Sequence, residues 1–544
     1  MFSWNRRGRR EAEPSNGHWK ASAFVLILSF ACTVALFAVN AGIDVDLADE
    51  GYLWYGSAQT ARGATPIEDF DSYDPGRYYW NSLWMHLLGD EGLLALRVGE
   101  SAMQFVGLSL ALFLVSKHLR AWQPLFAAAA LLSVWYVPRH KTYDHTMAIA
   151  LIFFAAIVVC NPTRMRFFIA GLGVGVAALF GKNHGFYAIV AYLLLFGYLW
   201  YSKKWRGSRF RGFLSFTSGL ILGYSPVIAM FSLLPGFRYW FFQDVSHLIS
   251  AGATNLTLPV PWPWSIEPSR VPGEVLPLLS LGFLFVTLPL AYAAAILFVL
   301  RRAPSGTKPV HDVLIAAAIA GAVYYHFALS RADLSHLAQS VHPFLITLLV
   351  FPMAFRNGWN RRIAVFLSIS FLMFLTWNTA VRAHPGFLYW TRTEPYVPLE
   401  IGRDSILVPG WMRDLVEEVR QLEANEIGEN EGLLIAPYLP GLYTVLGRDS
   451  PLRETYFLFE RSEELQKKDV SALDSLRVDF AIIGDVAIDD IEERRFRNTH
   501  SLIWEHIVQR FEKKPARGLP PGYELFVRRD QIGSARDGTV ELGR

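Results

Sequence analysis

Eleven apolar runs separated by short polar segments leave this chain of 544 residues few ways to fold. They fall at 21–42, 93–116, 122–138, 144–160, 166–181, 185–201, 212–233, 275–300, 311–329, 337–355 and 362–380. A helix of roughly 20 apolar residues crosses about 30 Å of hydrocarbon and satisfies its own backbone hydrogen bonds. The runs therefore predict an α-helical polytopic membrane protein of about 11 transmembrane helices, spanning 21–382. Charged residues make up 18% of the chain, against roughly 25% in soluble domains, which agrees.

The connecting segments sort by charge. Residues 1–20 form a basic tail, and Lys117, Arg120, Arg164, Arg166, Lys203, Lys204, Arg301, Arg302, Arg361 and Arg362 fall on the same side of the spans. Positive charge gathers on the cytoplasmic side. An odd number of spans then leaves the N-terminus in the cytoplasm and the C-terminal region outside. The expected location is a bacterial inner membrane. A net charge of +3 gives no reason to expect a nucleic-acid partner. The two cysteines, Cys32 and Cys160, both lie inside apolar runs, which excludes a disulfide scaffold and a cysteine-ligated zinc site.

The segment 43–92, between the first two runs, is the one most suggestive of chemistry. It holds ten acidic residues against the basic Arg62 and Arg77, with a dense set of Tyr and Trp. Asp49 and Glu50 stand where a helix begins, so Asp49 can serve as an N-cap. The same pair can also serve as a general base. Asp44, Asp46, Asp49 and Glu50 crowd together, and their mutual repulsion is expected to raise at least one pKa towards a useful value. The later part, with Asp69, Asp74, Arg77 and Tyr78, reads as a solvated turn before an interfacial helix. Acids at that density could also hold a divalent cation, though no metal ligand is assigned.

Basic residues on the outer side run against the charge trend and need a reason. They include Lys141, Lys182 with His184, and Arg331 with His336. Gripping a lipid phosphate is one reason; pairing with the acids of the first loop is the other. From about 400 to 544 the composition becomes that of a soluble domain. A helix is expected at 409–424, strands at GLLIA, VDFAIIGD and YELFVRR, and helical stretches at 460–476 and 486–512. This is a small α/β domain outside the membrane.

Taken together, ADEGYLWYGSAQTARGATPIEDF after the first span, then DPGRYYW, Arg331-x-Asp333-x-x-His336 and LPGLYTVLGRDSP, resemble the GT-C glycosyltransferases. The likeness is to the bacterial branch related to protein O-mannosyltransferases and aminoarabinose transferases. It implies inverting transfer of a sugar from a polyprenyl-phosphate donor to a hydroxyl of a lipid, glycan or protein. In that light Asp49 is the base and Glu50 orients the site. Tyr52, Asp69, Asp74, Arg77, Tyr78, Lys141, Lys182, His184, Arg331, Asp333 and His336 become candidates for contact with donor or acceptor. One departure is Asp74-Pro75-Gly76, where family members often carry two prolines. The alternative is a transporter or flippase of a lipid-linked saccharide, which is expected to place ionisable residues along a mid-membrane path.

Overall fold

A computed structural model describes residues 16–529 apart from 206, 252–254, 268–271, 304–305, 307, 356, 425–431 and 516–517. The helices begin with α1 (Asn16–Asn40), α2 (Asp49–Ala61), α3 (Pro75–Leu88), α4 (Leu93–Ser116) and α5 (Trp122–Val134). They continue as α6 (Thr142–Cys160), α7 (Arg164–Phe180), α8 (Lys182–Tyr201), α9 (Arg209–Leu233) and α10 (Pro235–Ala251). Then come α11 (Pro272–Arg302), α12 (Pro309–Ser330), α13 (Leu334–Val350), α14 (Gly358–Asn378) and α15 (Pro385–Thr391). Each of the eleven apolar runs lies on one of these helices. Among the described residues nine are long and apolar enough to cross a membrane: α1, α4, α6, α8, α9, α11, α12, α13 and α14. The remaining two runs form α5 and α7, which are shorter at 13 and 17 residues.

Two compact units result. One holds Met1–Ala41, Asp74–Arg77 and Arg97–Trp390; the other holds Gly42–Tyr73, Tyr78–Leu96 and Thr391–Arg544. In the first, α6, α12 and α13 form the buried centre, with Leu314, Ile315, Val341 and Ile346 fully enclosed. Helices α7 and α9 meet through glycines. A Cβ on Gly171 would lie 1.9 Å from the Phe216 carbonyl oxygen, and one on Gly219 would lie 2.0 Å from that of Phe168. Without a hydrophobic drive inside lipid, such close backbone approach is how helices gain van der Waals contact.

The second unit adds β1 (Tyr396–Ile401), β2 (Asp404–Pro409), α16 (Gly410–Leu422), β3 (Gly432–Ala436), α17 (Gly441–Leu446) and α18 (Glu463–Ser475). It ends with β4 (Val478–Gly484), α19 (Phe496–Thr499), α20 (Ser501–Arg510), β5 (Phe511–Lys514) and β6 (Tyr523–Arg528). The main sheet runs β3-β4-β6-β5, with β3 and β4 parallel and the other pairs antiparallel. Strand β4 is buried along its whole length, as its unbroken apolar run requires.

Two details differ from the sequence expectation. The stretch 486–512 is not one helix but short turns at 488–490 and 492–494 followed by α19 and α20. Its acids and arginines pair locally instead, Asp489 with Arg494 and Glu492 with Arg495. The hairpin β1–β2 was also not expected. Its two-residue loop turns at Gly402, whose φ of +60° is the left-handed conformation such a loop needs.

Candidate functional site

In the second unit everything converges on α2. Its first turn carries Asp49 and Glu50, but Ala48 stands at the cap position. The capping is done by Asp46. One carboxylate oxygen of Asp46 accepts the backbone N–H of Ala48 at 2.9 Å and of Asp49 at 3.2 Å. Buried Glu50 reaches back to accept the Asp46 N–H at 3.3 Å. This reciprocal arrangement is a capping box in function. The cap role considered for Asp49 thus belongs to its neighbour, and Glu50 is a builder of the helix start.

Asp49 itself is partly exposed and accepts the Tyr456 hydroxyl at 3.2 Å. Burial first, then the nearby Asp49 and Asp46, push the Tyr456 phenol well above its usual range, so it stays protonated and donates to Asp49. Tyr456 comes from 448–462, which carries neither helix nor strand and packs along α2. Around it lie aromatic rings: Tyr52 contacts Tyr456 at 5.4 Å and Tyr73 at 5.1 Å, and Tyr438 lies 5.8 Å from Tyr456. Such pairs prefer these edge and tilted geometries.

The segment LPGLYTVLGRDSP docks on α2 through backbone. A Cβ on Gly51 would sit 2.7 Å from the Gly441 Cα, so only glycines allow this approach. Further along, Gln59 bonds to Asp449, and the Tyr55 hydroxyl accepts the Ser450 N–H at 3.0 Å. Asp71 then bridges Arg453 at 3.2 Å and Arg461 at 3.1 Å. Arg461 also pairs with Glu454 at 2.8 Å. Burial alone would raise the Glu454 carboxyl, but Arg461 and His500 beside it hold it at about 2. Of the other predicted residues here, Asp69 closes a turn by accepting the Thr65 N–H at 2.7 Å. Tyr78 is fully buried, and its hydroxyl accepts the Tyr73 N–H at 3.0 Å.

The first unit holds the basic residues singled out from the sequence. Arg77, at the start of α3, makes a bidentate pair with Asp144 at 2.9 and 2.8 Å and donates to the Phe180 carbonyl at 2.8 Å. His184 contacts the same carboxylate through Nε2 at 2.8 Å, and its Nδ1 meets the Tyr324 hydroxyl at 2.8 Å. All four side chains are buried. These contacts close a buried network of Arg77, Asp144, His184 and Tyr324. Arg77 and His184 are thereby occupied in holding helices together. Lys182 is different: its side chain is one-third exposed, with Asp74 at 3.6 Å and the Phe241 ring at 5.9 Å. Asp74 also accepts the Lys182 backbone N–H at 2.9 Å.

Arg331, Asp333 and His336 form a compact triad. Asp333 caps α13 by accepting the His336 N–H, and it pairs with Arg331 and with the His336 ring, all at 2.8 Å. Burial pushes the Asp333 carboxyl up, but the His336 bonds and Arg331 outweigh it and leave it below the usual value. Lys141 is buried in the turn Arg139–Lys141 before α6. Sequence reasoning missed Asp144, Tyr456, Asp46 as the cap, and the Asp71–Arg453–Arg461 cluster. Only Asp46, three residues before Asp49, had a local signal.

The described residues combine nine long apolar helices with a small α/β unit, and the fold is shared with solved structures. The solved structure of ArnT from Cupriavidus metallidurans bound to undecaprenyl phosphate is similar to it, with a TM-score of 0.50 at 13% identity. That match covers 93% of this chain and 98% of the ArnT chain. ArnT in the apo state matches with a TM-score of 0.45 at 12% identity over the same shares. The Archaeoglobus fulgidus oligosaccharyltransferase in complex with Zn and sulfate gives 0.46 at 10% identity, covering 85% of this chain and 68% of that one. No family model matches the chain, and no curated protein matches it in sequence.

Proposed function

We propose that this protein is an integral membrane glycosyltransferase that moves a sugar from a polyprenyl-phosphate donor to an acceptor hydroxyl, with inversion. The observation that carries the reading is Asp49, a partly exposed carboxylate that begins the helix after the first span and accepts a hydrogen bond from Tyr456. The fold supports it, and the ArnT of similar fold was solved with undecaprenyl phosphate. In the reaction the acceptor oxygen attacks the anomeric carbon and the bond from that carbon to the phosphate oxygen breaks. Asp49 takes the acceptor proton. The lipid phosphate leaves with an added negative charge, for which Lys182 and the Arg331–His336 pair are the candidate partners.

The active face is the outer one, with the N-terminus cytoplasmic, in a bacterial inner membrane. A transporter would need an ionisable path through the bilayer. Asp144 instead lies in the first turn of α6 and Asp312 in the first turn of α12, each already paired with a cation. Reconstituted protein given a labelled polyprenyl-phosphate sugar and envelope acceptors is expected to form a new glycosidic bond. Movement of label across the bilayer with no new bond would favour transport. Turnover is expected to persist in EDTA; loss, with recovery on adding a divalent cation, would assign a metal to the acids of the first loop.

A further inference from the structure

Tyr456 is carried by 448–462, a stretch with neither helix nor strand, yet that stretch is fastened on both sides of the ring. Before it, the Arg453 carbonyl accepts the Asp71 N–H at 2.7 Å. Directly after it, the Phe457 N–H donates to the Pro437 carbonyl at 3.1 Å, and the Phe457 ring is buried against Phe496 and His500. Asp71 then closes the stretch into a clip. Its Oδ1 pairs with Arg453 and its Oδ2 with Arg461, so one carboxylate ties together two arginines on either side of Tyr456. Glu454 meets Arg461 from within the clip. These pairs are partly buried, where charge is screened less than at an open surface.

An irregular segment ordinarily lets its side chains wander, and a phenol on it would make a poor partner for a carboxylate. The clip removes that freedom. Tyr52 and Tyr438 flank the Tyr456 ring at 5.4 and 5.8 Å, and its hydroxyl donates to Asp49 Oδ1 at 3.2 Å. A hydrogen bond donated to a carboxylate favours its charged form, which is the form a general base needs. All of these groups belong to the second unit. We propose that Tyr456 is a positioning residue for the transfer reaction: held by the Asp71–Arg453–Arg461 clip, its hydroxyl orients the Asp49 carboxylate and keeps it ionised. The inference rests on Asp49 being the base, and it gives the C-terminal region of the chain a part in preparing that base.

Tyr456→Phe keeps the ring and removes the hydroxyl. Infrared titration of the Asp49 carboxyl band in the full chain, with the matching Asp49→Asn spectrum subtracted, tests this without a substrate. The midpoint should rise by about one pH unit in Tyr456→Phe. Asp71→Asn should raise it by less, although loss of a negative charge alone would lower it. Asp71→Asn/Tyr456→Phe should match Tyr456→Phe, because the clip acts through the phenol. If Asp71→Asn does not fold, Arg453→Gln, which leaves the Arg461 arm in place, serves instead. A midpoint unmoved in Tyr456→Phe, or additive shifts in the double variant, would overturn the proposal. Transfer from a labelled polyprenyl-phosphate sugar gives the matching rate profile, and the acid limb of kcat/KM should move up with the midpoint. An equal fall at every pH would mark a packing defect and overturn the role. Full turnover in Asp49→Asn would remove the base assignment itself, and this role with it; loss there beside an unmoved Tyr456→Phe profile would overturn the role alone.

Discussion

Asp144 and Asp49 each lie in the opening turn of a helix, and their surroundings are opposite. Asp144 is 2% exposed and accepts two bonds from Arg77 and one from His184. Asp49 is partly open and meets a phenol at 3.2 Å. A carboxylate whose lone pairs are filled by a guanidinium cannot take a proton without breaking a buried ion pair. Asp49 stands where solvent reaches it. The difference in burial is why Asp49, and not Asp144, is the proposed base.

The largest effect is expected from breaking the buried pair. Asp144→Asn leaves Arg77 uncompensated, at a cost of about 3–5 kcal/mol. The yield and Tm of the purified variant should fall sharply, and a Tm within a degree or two of the parent would show the pair to be dispensable. Lys182→Gln comes next. Its one-third exposed ammonium is not locked as Arg77 is, so folding should survive while turnover falls about 10²-fold. Lys182→Arg should restore part of that loss, and unchanged turnover in Lys182→Gln would remove the residue from the reaction.

Two acids of the second unit sharpen the contrast by pH. Glu454 sits at about 2 against a usual 4.5, so its stabilisation is complete above pH 4.5 and is lost as pH falls towards 2. Glu454→Gln should therefore cost about 3 kcal/mol at pH 7 and much less near pH 2, read from Tm against pH. Asp469 is the reverse: burial first, then Glu454, push it up to about 7 from 3.8. Its cost builds as pH rises from 3.8 through 7. Asp469→Asn should raise Tm slightly at pH 8 and leave it unchanged near pH 3.5.

Much of this could be read along the chain. Apolar length alone located every helix from α4 to α9, and the buried strands β3, β4 and β6 announced themselves as short apolar runs. The acid pair at 49–50 was visible because it follows a span. Partnerships across long separations were not. Arg77 finds Asp144 67 residues on, and Tyr456 lies 407 residues beyond Asp49. Periodicity and capping patterns act within a few residues, whereas these contacts exist only once helices and sheet are assembled. Gly51 and Gly441 illustrate the point: each reads as an ordinary helix or turn glycine until their backbones meet.

The comparison between the two carboxylates comes down to Asp49→Asn, assayed for transfer from a polyprenyl-phosphate sugar alongside its Tm. An amide keeps the shape but cannot accept the proton, so turnover should drop by about 10²–10⁴-fold while Tm stays near the parent value. Full turnover in that variant would contradict the assignment, and a collapse of Tm like that expected for Asp144→Asn would place Asp49 among the structural acids instead.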